Sequence, residues 1–69
     1  MGAVVTDPGV TVGRLRILAR TDGLVCVVDY SRPMLDRTIA LGRTVDGATR
    51  WAEEYLRKAG EPHDVVRQS

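Results

Sequence analysis

Residues that could do covalent chemistry are few in this chain of 69 residues. The only histidine, His63, follows Pro62 in a segment without periodicity, so neither a serine nor a cysteine has an evident base beside it. The only cysteine, Cys26, lies in an apolar stretch where a thiol is poorly ionised and inert. One Cys and one His cannot complete a zinc site, and one Cys cannot form an intramolecular disulfide. No nucleotide-binding, zinc-protease or serine-hydrolase motif is present. The sequence therefore predicts a non-enzymatic protein with no catalytic residues, no metal and no cofactor.

The arginines offer chemistry of another kind, which is recognition of a partner. From Arg14 to Arg20, arginines alternate with apolar residues at the period of two that separates the two faces of a strand. Leu15, Ile17 and Ala19 then lie on an apolar face, and the other face carries mainly arginine. The next apolar run, LVCVVDY, is predicted to be a central strand. If Asp29 points outward, Leu24, Cys26, Val28 and Tyr30 face the core. Val25 and Val27 then join the arginine face, whose predicted partner-binding residues are Arg14, Arg16, Leu18, Arg20, Val25 and Val27.

Charge is distributed unevenly along the chain. Residues 10–44 contain six basic and three acidic residues, whereas residues 45–69 contain four basic and five acidic residues. The positive charge therefore belongs to the half of the chain that is predicted to form the sheet. The total net charge is only +1, and together with the aliphatic residues on the arginine face it disfavours a contact dominated by phosphates. A solvated sheet face with no partner is the simpler alternative.

The elements around these residues indicate an α+β fold with a three-stranded antiparallel sheet and one C-terminal helix packed on one face. We predict strands at 11–20, 24–30 and 36–43, with an Asp22-Gly23 turn between the first two. Residues 34–43 could instead form a short helix, although Thr38 and Ile39 favour a strand. Residues 1–9 are predicted to be a disordered tail, residues 10–60 the domain, and residues 61–69 a tail or a short edge strand.

The helix, predicted at 45–59, is the most clearly specified element. Its apolar residues recur at steps of three and four along one stripe, at Ala48, Trp51, Ala52, Tyr55, Leu56 and Ala59. Thr44 or Asp46 can cap its first amides, and Gly60 is suited to end it. Oppositely charged residues four apart line the other side, which is typical of a solvated face. Trp51 is expected at the edge of the contact between helix and sheet, because its indole N–H needs a partner.

The size of the chain bears on its assembly and location. A core this small with no disulfide or metal is marginal, so we expect a homo-oligomer or stabilisation by a partner. The residues at the N-terminus lack the features of a signal peptide, and no uncharged stretch is long enough to span a membrane. We therefore expect a cytoplasmic protein.

The segment GRTVDGATRWAEEYL, residues 42–56, resembles two families of small domains through Gly42, Thr44, Ala48 and Trp51 or Ala52. One is the arm-DNA-binding domain of phage-type tyrosine integrases, whose sheet contacts DNA. This resemblance implies DNA-facing positions at Arg14, Arg16 and Arg20 by location alone. The other is the HicB-type antitoxin, which neutralises a small toxin by direct contact. Neither family's functional motif is present in this chain.

Two hypotheses follow. In the first, the protein is a protein-binding module of inhibitor, antitoxin or adaptor type, of the kind found on phages and mobile elements, and it acts through the outer sheet face and an edge strand. In the second, the same face binds nucleic acid. The aliphatic content of the face and the weak net charge favour the first.

Overall fold

A computed structural model describes residues 5–68, which form one antiparallel sheet with one helix packed against it. The strands are β1 (Val5–Val12), β2 (Leu15–Arg20), β3 (Val25–Asp29), β4 (Thr38–Gly42) and β5 (Val65–Arg67). A single turn of 3-10 helix at Met34–Asp36 precedes β4, and the helix α1 (Val45–Lys58) lies between β4 and β5 in the chain. The order across the sheet is β4-β3-β2-β1-β5. Strands β1 to β4 thus form a meander, and after the helix the chain returns to pair with β1.

The predicted α+β class with one helix is confirmed, but the sheet has five strands and not three. The predicted strand at 11–20 is two strands, because the chain turns at Gly13 and Arg14. Gly13 has a φ of +53°, and a Cβ atom there would lie 2.3 Å from the backbone oxygen of Pro62. The sequence hides this turn because apolar residues continue on both sides of it. Of the predicted tail, residues 5–9 belong to β1, and residues 1–4 lie outside the described residues.

The two ambiguous segments both contain strands. The predicted third strand is confirmed at residues 38–42, with the 3-10 turn taking up the residues before it. Residues 65–67 form β5, the edge strand that was one of two alternatives for this segment.

Helix α1 follows its local signals closely. The Thr44 hydroxyl accepts a hydrogen bond from the Gly47 amide at 3.0 Å, and Gly60, with a φ of +71°, follows the last turn. Trp51 is 41% exposed, so it lies at the edge of the helix contact as predicted. The core between helix and sheet consists of Val10, Val12, Leu15, Ile17, Val25, Val27, Ala48, Ala52 and Leu56.

The prediction for the parity of β3 is wrong. Val25 and Val27 pair with Ala19 and Ile17 and belong to the core beneath the helix. Cys26 pairs with Leu18, and Val28 pairs with Arg16, so these residues lie on the face away from the helix. We call the face beneath α1 the covered face and the other the open face. The charge of Asp29 misleads, because an aspartate at the end of a strand ordinarily points to solvent, whereas Asp29 is only 2% exposed.

Candidate functional site

The six predicted partner-binding residues divide between three places. Arg16, Leu18 and Arg20 lie on the open face of β2, as the alternation indicated. Arg14 belongs to the turn between β1 and β2 and not to a strand. Val25 and Val27 are buried on the covered face and are not available on the open face. The structure therefore brings together only three of the six.

Arg14 is part of an ion cluster that joins three parts of the chain. Its Nε and Nη2 atoms donate to the two carboxylate oxygens of Glu61 at 2.8 and 3.1 Å. Its Nη1 atom donates to Oδ2 of Asp29, at the end of β3. The other oxygen of Asp29 accepts from the Ser31 hydroxyl at 2.6 Å and from the Ser31 amide at 3.0 Å. Arg14 thus holds the β1–β2 turn, the end of β3 and the segment after α1 together.

The protonation states in this cluster follow from its contacts. Burial raises the pKa of Asp29, but hydrogen bonds from Ser31 and Arg14 outweigh burial and bring the pKa to about 2. The hydrogen bonds to Glu61 and Asp29 raise the pKa of Arg14, and the hydrogen bond from Arg14 lowers the pKa of Glu61. The cluster is charged and internally satisfied at neutral pH. Its arrangement is that of a structural contact, so Arg14 is not free to bind a partner.

The two arginines on the open face are also paired with carboxylates. Arg16 Nη1 lies 3.3 Å from Asp7 Oδ2, and Arg20 Nη2 lies 2.7 Å from Asp22 Oδ2. Both pairs are partly exposed and contribute little to stability. They do, however, neutralise the positive charge that the alternation of β2 predicts for this face. Within residues 5–68, the arginines with no carboxylate within 4 Å are Arg32, Arg37, Arg43 and Arg50.

Apolar side chains occupy the middle of the open face. Leu18, Cys26 and Leu41 form one row across β2, β3 and β4, and Val28 lies on the same face of β3. Cys26 is only 5% exposed, whereas Leu41 is more than half exposed. Sequence reasoning missed Cys26, Val28 and Leu41 on this face. A different reading of Asp29, as the buried partner of an arginine, would have placed the first two correctly.

Tyr30 lies beyond the end of β3, half exposed, with two arginines close to its ring. The guanidinium carbons of Arg16 and Arg37 lie 5.8 and 5.5 Å from the ring centroid, which is within the range of cation–π contacts. Arg37 Nε also donates to the backbone oxygen of Arg32 at 3.1 Å. The result is a small group of an aromatic ring and cations at one end of the open face.

The outer edge of β4 is the third notable surface. β4 is the last strand of the sheet on this side, so no other described segment pairs with its outer edge. Large apolar side chains surround it: Met34 and Leu35 before the strand, Leu41 within it and Trp51 on α1. Leu35 is 96% exposed. We call the outer side of β4 together with these four residues the β4 edge.

A cleft opens between β4 and the start of α1. Its volume is about 140 Å³, and its walls include Val27, Ala40, Ala48 and Trp51, together with Arg43. The Trp51 ring stacks on Tyr55, with centroids 5.1 Å apart and an angle of 18° between the planes. We call this hollow the Trp51 cleft. Its walls are mainly apolar, which suits a hydrocarbon side chain rather than a charged ligand.

No three His, Cys, Asp or Glu side chains among residues 5–68 lie close enough together to hold a metal ion. His63 is exposed, and its Nδ1 lies 3.1 Å from the backbone oxygen of Glu61. The one helix of this part of the chain lacks the length and apolar character needed to cross a membrane.

Comparisons with known proteins add no relative from which a function could be transferred. The chain matches no protein-family model, no curated protein and no solved structure.

Proposed function

We propose that this protein is a small non-enzymatic protein-binding module, of inhibitor, antitoxin or adaptor type, that acts in the cytoplasm through its open face and the β4 edge. The observation that carries this proposal is the composition of the open face. A row of apolar side chains, Leu18, Cys26 and Leu41, crosses three neighbouring strands, and no second layer covers it within residues 5–68. Leu18 is partly exposed and Leu41 is more than half exposed on either side of the nearly inaccessible Cys26, and exposed apolar side chains grouped on one face mark sites of interaction.

The charges around this row support a protein partner. Arg16 and Arg20 flank Leu18 on the same strand, and both are already paired with carboxylates. An apolar centre with a charged and polar rim is the usual composition of a protein interface. A phosphate backbone would instead require arginines that are free to replace counterions.

Site-specific photo-crosslinking in cells tests the proposal. A photoreactive phenylalanine analogue replaces Leu18 on the open face, and the matched control carries it at Arg50 on the solvated side of α1. We expect protein adducts of defined mass from position 18 that are absent from position 50 and sensitive to protease. Circular dichroism of both variants confirms that the fold is retained. Equal adducts from the two positions would contradict the proposal.

A nucleic-acid-binding function is the second candidate, and the group at Tyr30 favours it. An exposed aromatic ring beside Arg16 and Arg37 could stack on an unpaired base while the arginines contact phosphate. The test is binding of a labelled single-stranded oligonucleotide at several salt concentrations, for the wild type, Tyr30→Ala and Arg37→Ala. Salt-sensitive binding that both substitutions weaken would promote this candidate. Adducts at position 18 that a nuclease removes would do the same.

A further inference from the structure

We infer that the β4 edge binds a second copy of this chain, so that the two β4 strands pair antiparallel across a two-fold axis and the two sheets become one sheet of ten strands. The inference rests on the proposed function, which takes the β4 edge as a contact surface, and deepens it by naming the occupant. Addition of a strand to an exposed sheet edge is a common mode of recognition, because backbone hydrogen bonds form along the whole edge.

The arrangement of apolar groups along β4 is what favours a second copy. A two-fold contact uses the same surface on both subunits, so every protrusion must have a matching hollow elsewhere on that surface. Leu35 protrudes before the start of β4 and the Trp51 cleft opens at its end. Antiparallel pairing of two β4 strands places the start of one beside the end of the other. Leu35 of each copy therefore meets the Trp51 cleft of its partner.

Both features lie on the same side of the sheet, as this contact requires. The Trp51 cleft is formed between the sheet and α1, on the covered face. Leu35 borders a neighbouring hollow with Ile39, Trp51 and Tyr55, which is also on the side of α1. The two-fold axis of an antiparallel strand pair is perpendicular to the sheet, so both helices lie on one side of the ten-stranded sheet. Leu35 of one copy then approaches the cleft of the other without crossing the sheet.

The two ends of β4 carry opposite charges, which also suits an antiparallel pair of β4 strands. Asp36 precedes the strand and Arg43 follows it, and neither is in an ion pair within the described part of the chain. Antiparallel pairing brings Asp36 of each copy near Arg43 of the other, which forms two equivalent ion pairs. Arg37, the nearest like charge, is directed toward Tyr30 and the Arg32 backbone. A foreign strand would need to supply a matching apolar side chain and both charges, whereas a second copy already carries them.

The opposite edge of the sheet lacks these features and provides the control. β5 has three residues, and its one large exposed apolar side chain, Val66, lies on the open face opposite Thr11. Val66→Asp therefore introduces the same carboxylate at an exposed edge position without touching the proposed contact.

Sedimentation equilibrium over a range of protein concentrations tests the inference. We expect the wild type and Val66→Asp to dimerise with the same dissociation constant. Leu35→Asp should raise that constant about a hundredfold, the effect of losing a central apolar contact. Because Leu35 is almost fully exposed in the single chain, this substitution leaves the fold intact, which circular dichroism verifies. A wild type that stays monomeric at high concentration, or a Leu35→Asp dimer as tight as the wild type, would overturn the inference.

Charge reversal at the two ends of β4 tests, independently of Leu35, whether the partner is a second copy paired antiparallel. Asp36→Arg alone and Arg43→Asp alone each place like charges together and should weaken the dimer about tenfold, whereas the double variant should regain the wild-type constant. Failure of the double variant to recover would contradict the antiparallel arrangement. If the wild type is monomeric but still gives specific adducts at position 18, the dimer inference is contradicted and the proposed function stands. If the wild type dimerises but gives no such adducts, the proposed function is contradicted and the dimer inference stands.

Discussion

The two faces of the sheet bury their central residues by different means. On the covered face, Val27 is 1% exposed because α1 packs over it. On the open face, Cys26 is nearly as inaccessible, although within residues 5–68 no element lies above it. Its cover consists of side chains on the two strands that flank it, among them Leu18 and Leu41. Burial of a central strand residue therefore does not reveal which face it occupies.

This difference has an energetic consequence. Side chains on the covered face are held by packing from two layers, so they set the free energy of unfolding. Side chains on the open face touch only their neighbours in the sheet, and a partner could replace solvent there without rearranging the core. We therefore expect substitutions on the covered face to change stability and substitutions on the open face to change binding.

Val27→Asp should have the largest effect. It places an unpaired carboxylate in the core beneath α1, at a cost of more than about 4 kcal/mol, which is comparable to the whole stability of a domain this size. We expect loss of cooperative unfolding in urea followed by circular dichroism. Leu41→Asp on the open face is the control and should unfold within about 0.5 kcal/mol of the wild type. A folded Val27→Asp variant would show that the two faces of β3 are exchanged.

Truncation of a leucine to alanine on each face, Leu56→Ala and Leu41→Ala, compares the contributions of the two faces to stability. Leu56 is fully buried between α1 and the sheet, so truncation should lower the free energy of unfolding by about 3 kcal/mol. Leu41→Ala, on the open face, should lower it by less than about 1 kcal/mol. Urea midpoints with unchanged slopes measure both. Equal losses would mean that the open face contributes to the core of the isolated chain.

Asp29→Asn concerns the polar end of the covered face. The amide keeps the size of the side chain but loses the charge that Arg14 faces, so we expect a loss of about 2 kcal/mol at neutral pH. Asp36→Asn, at an exposed position, is the control and should have no measurable effect in the monomer. A neutral effect of Asp29→Asn would mean that the ion cluster contributes no net stability.

The same residue predicts a dependence on acid. Asp29 has a pKa of about 2 in the folded chain, below its ordinary value of 3.8. A lowered pKa gives stability that is present above the unfolded value and is lost as the pH falls through the folded value. The wild type should therefore lose about 2 kcal/mol between pH 4 and pH 2 that Asp29→Asn does not lose. Urea unfolding at several pH values compares the two, and parallel profiles would contradict this assignment.

The smallest effect concerns the thiol of Cys26. It should react slowly with a thiol reagent in the native protein and fast in denaturant, because its neighbours exclude the reagent. Leu41→Ala removes one of the flanking side chains and should speed the native reaction severalfold. Met34→Ala, which changes an exposed residue away from Cys26, should leave the rate unchanged. A rate that does not respond to Leu41→Ala would place the cover of Cys26 elsewhere.

The sequence predicts α1 almost to the residue because every local signal agrees: the Thr44 cap, the apolar stripe and the terminal Gly60. It also predicts the faces of β2, where charged and apolar residues alternate. It does not reveal which residues of β3 lie on which face. A continuous apolar run has no alternation, so the orientation of the strand has to be predicted from one charged residue. That residue, Asp29, is satisfied by Arg14 from a distant turn, and no local pattern shows such a contact.

Of the two additional strands, β1 was missed over most of its length and β5 was only one of two alternatives, for a related reason. β1 contains Pro8 and Gly9, which locally indicate a loop, and β5 has only three residues. β1 is held by pairing with β2 on one side and β5 on the other, and β5 pairs with β1 alone, from Val65 opposite Val12 to Arg67 opposite Val10. The candidate surface was found in part, through Arg16, Leu18 and Arg20. An edge strand was predicted as part of this surface, but the sequence does not show which edge, because the arrangement of Leu35 and Trp51 beside β4 depends on the tertiary fold.

The pairing of β1 with β5 also bears on how the chain is made. On the ribosome, residues 5–12 emerge long before residues 65–67, so β1 remains without a partner on its outer side while the meander and α1 are being completed. During that interval the nascent sheet has two open edges, and either could capture a neighbouring chain. Pro8, which cannot donate a backbone hydrogen bond, and the bend at Gly9 make β1 a poor template for such capture. The residues that concealed this strand in the sequence thus protect it during synthesis.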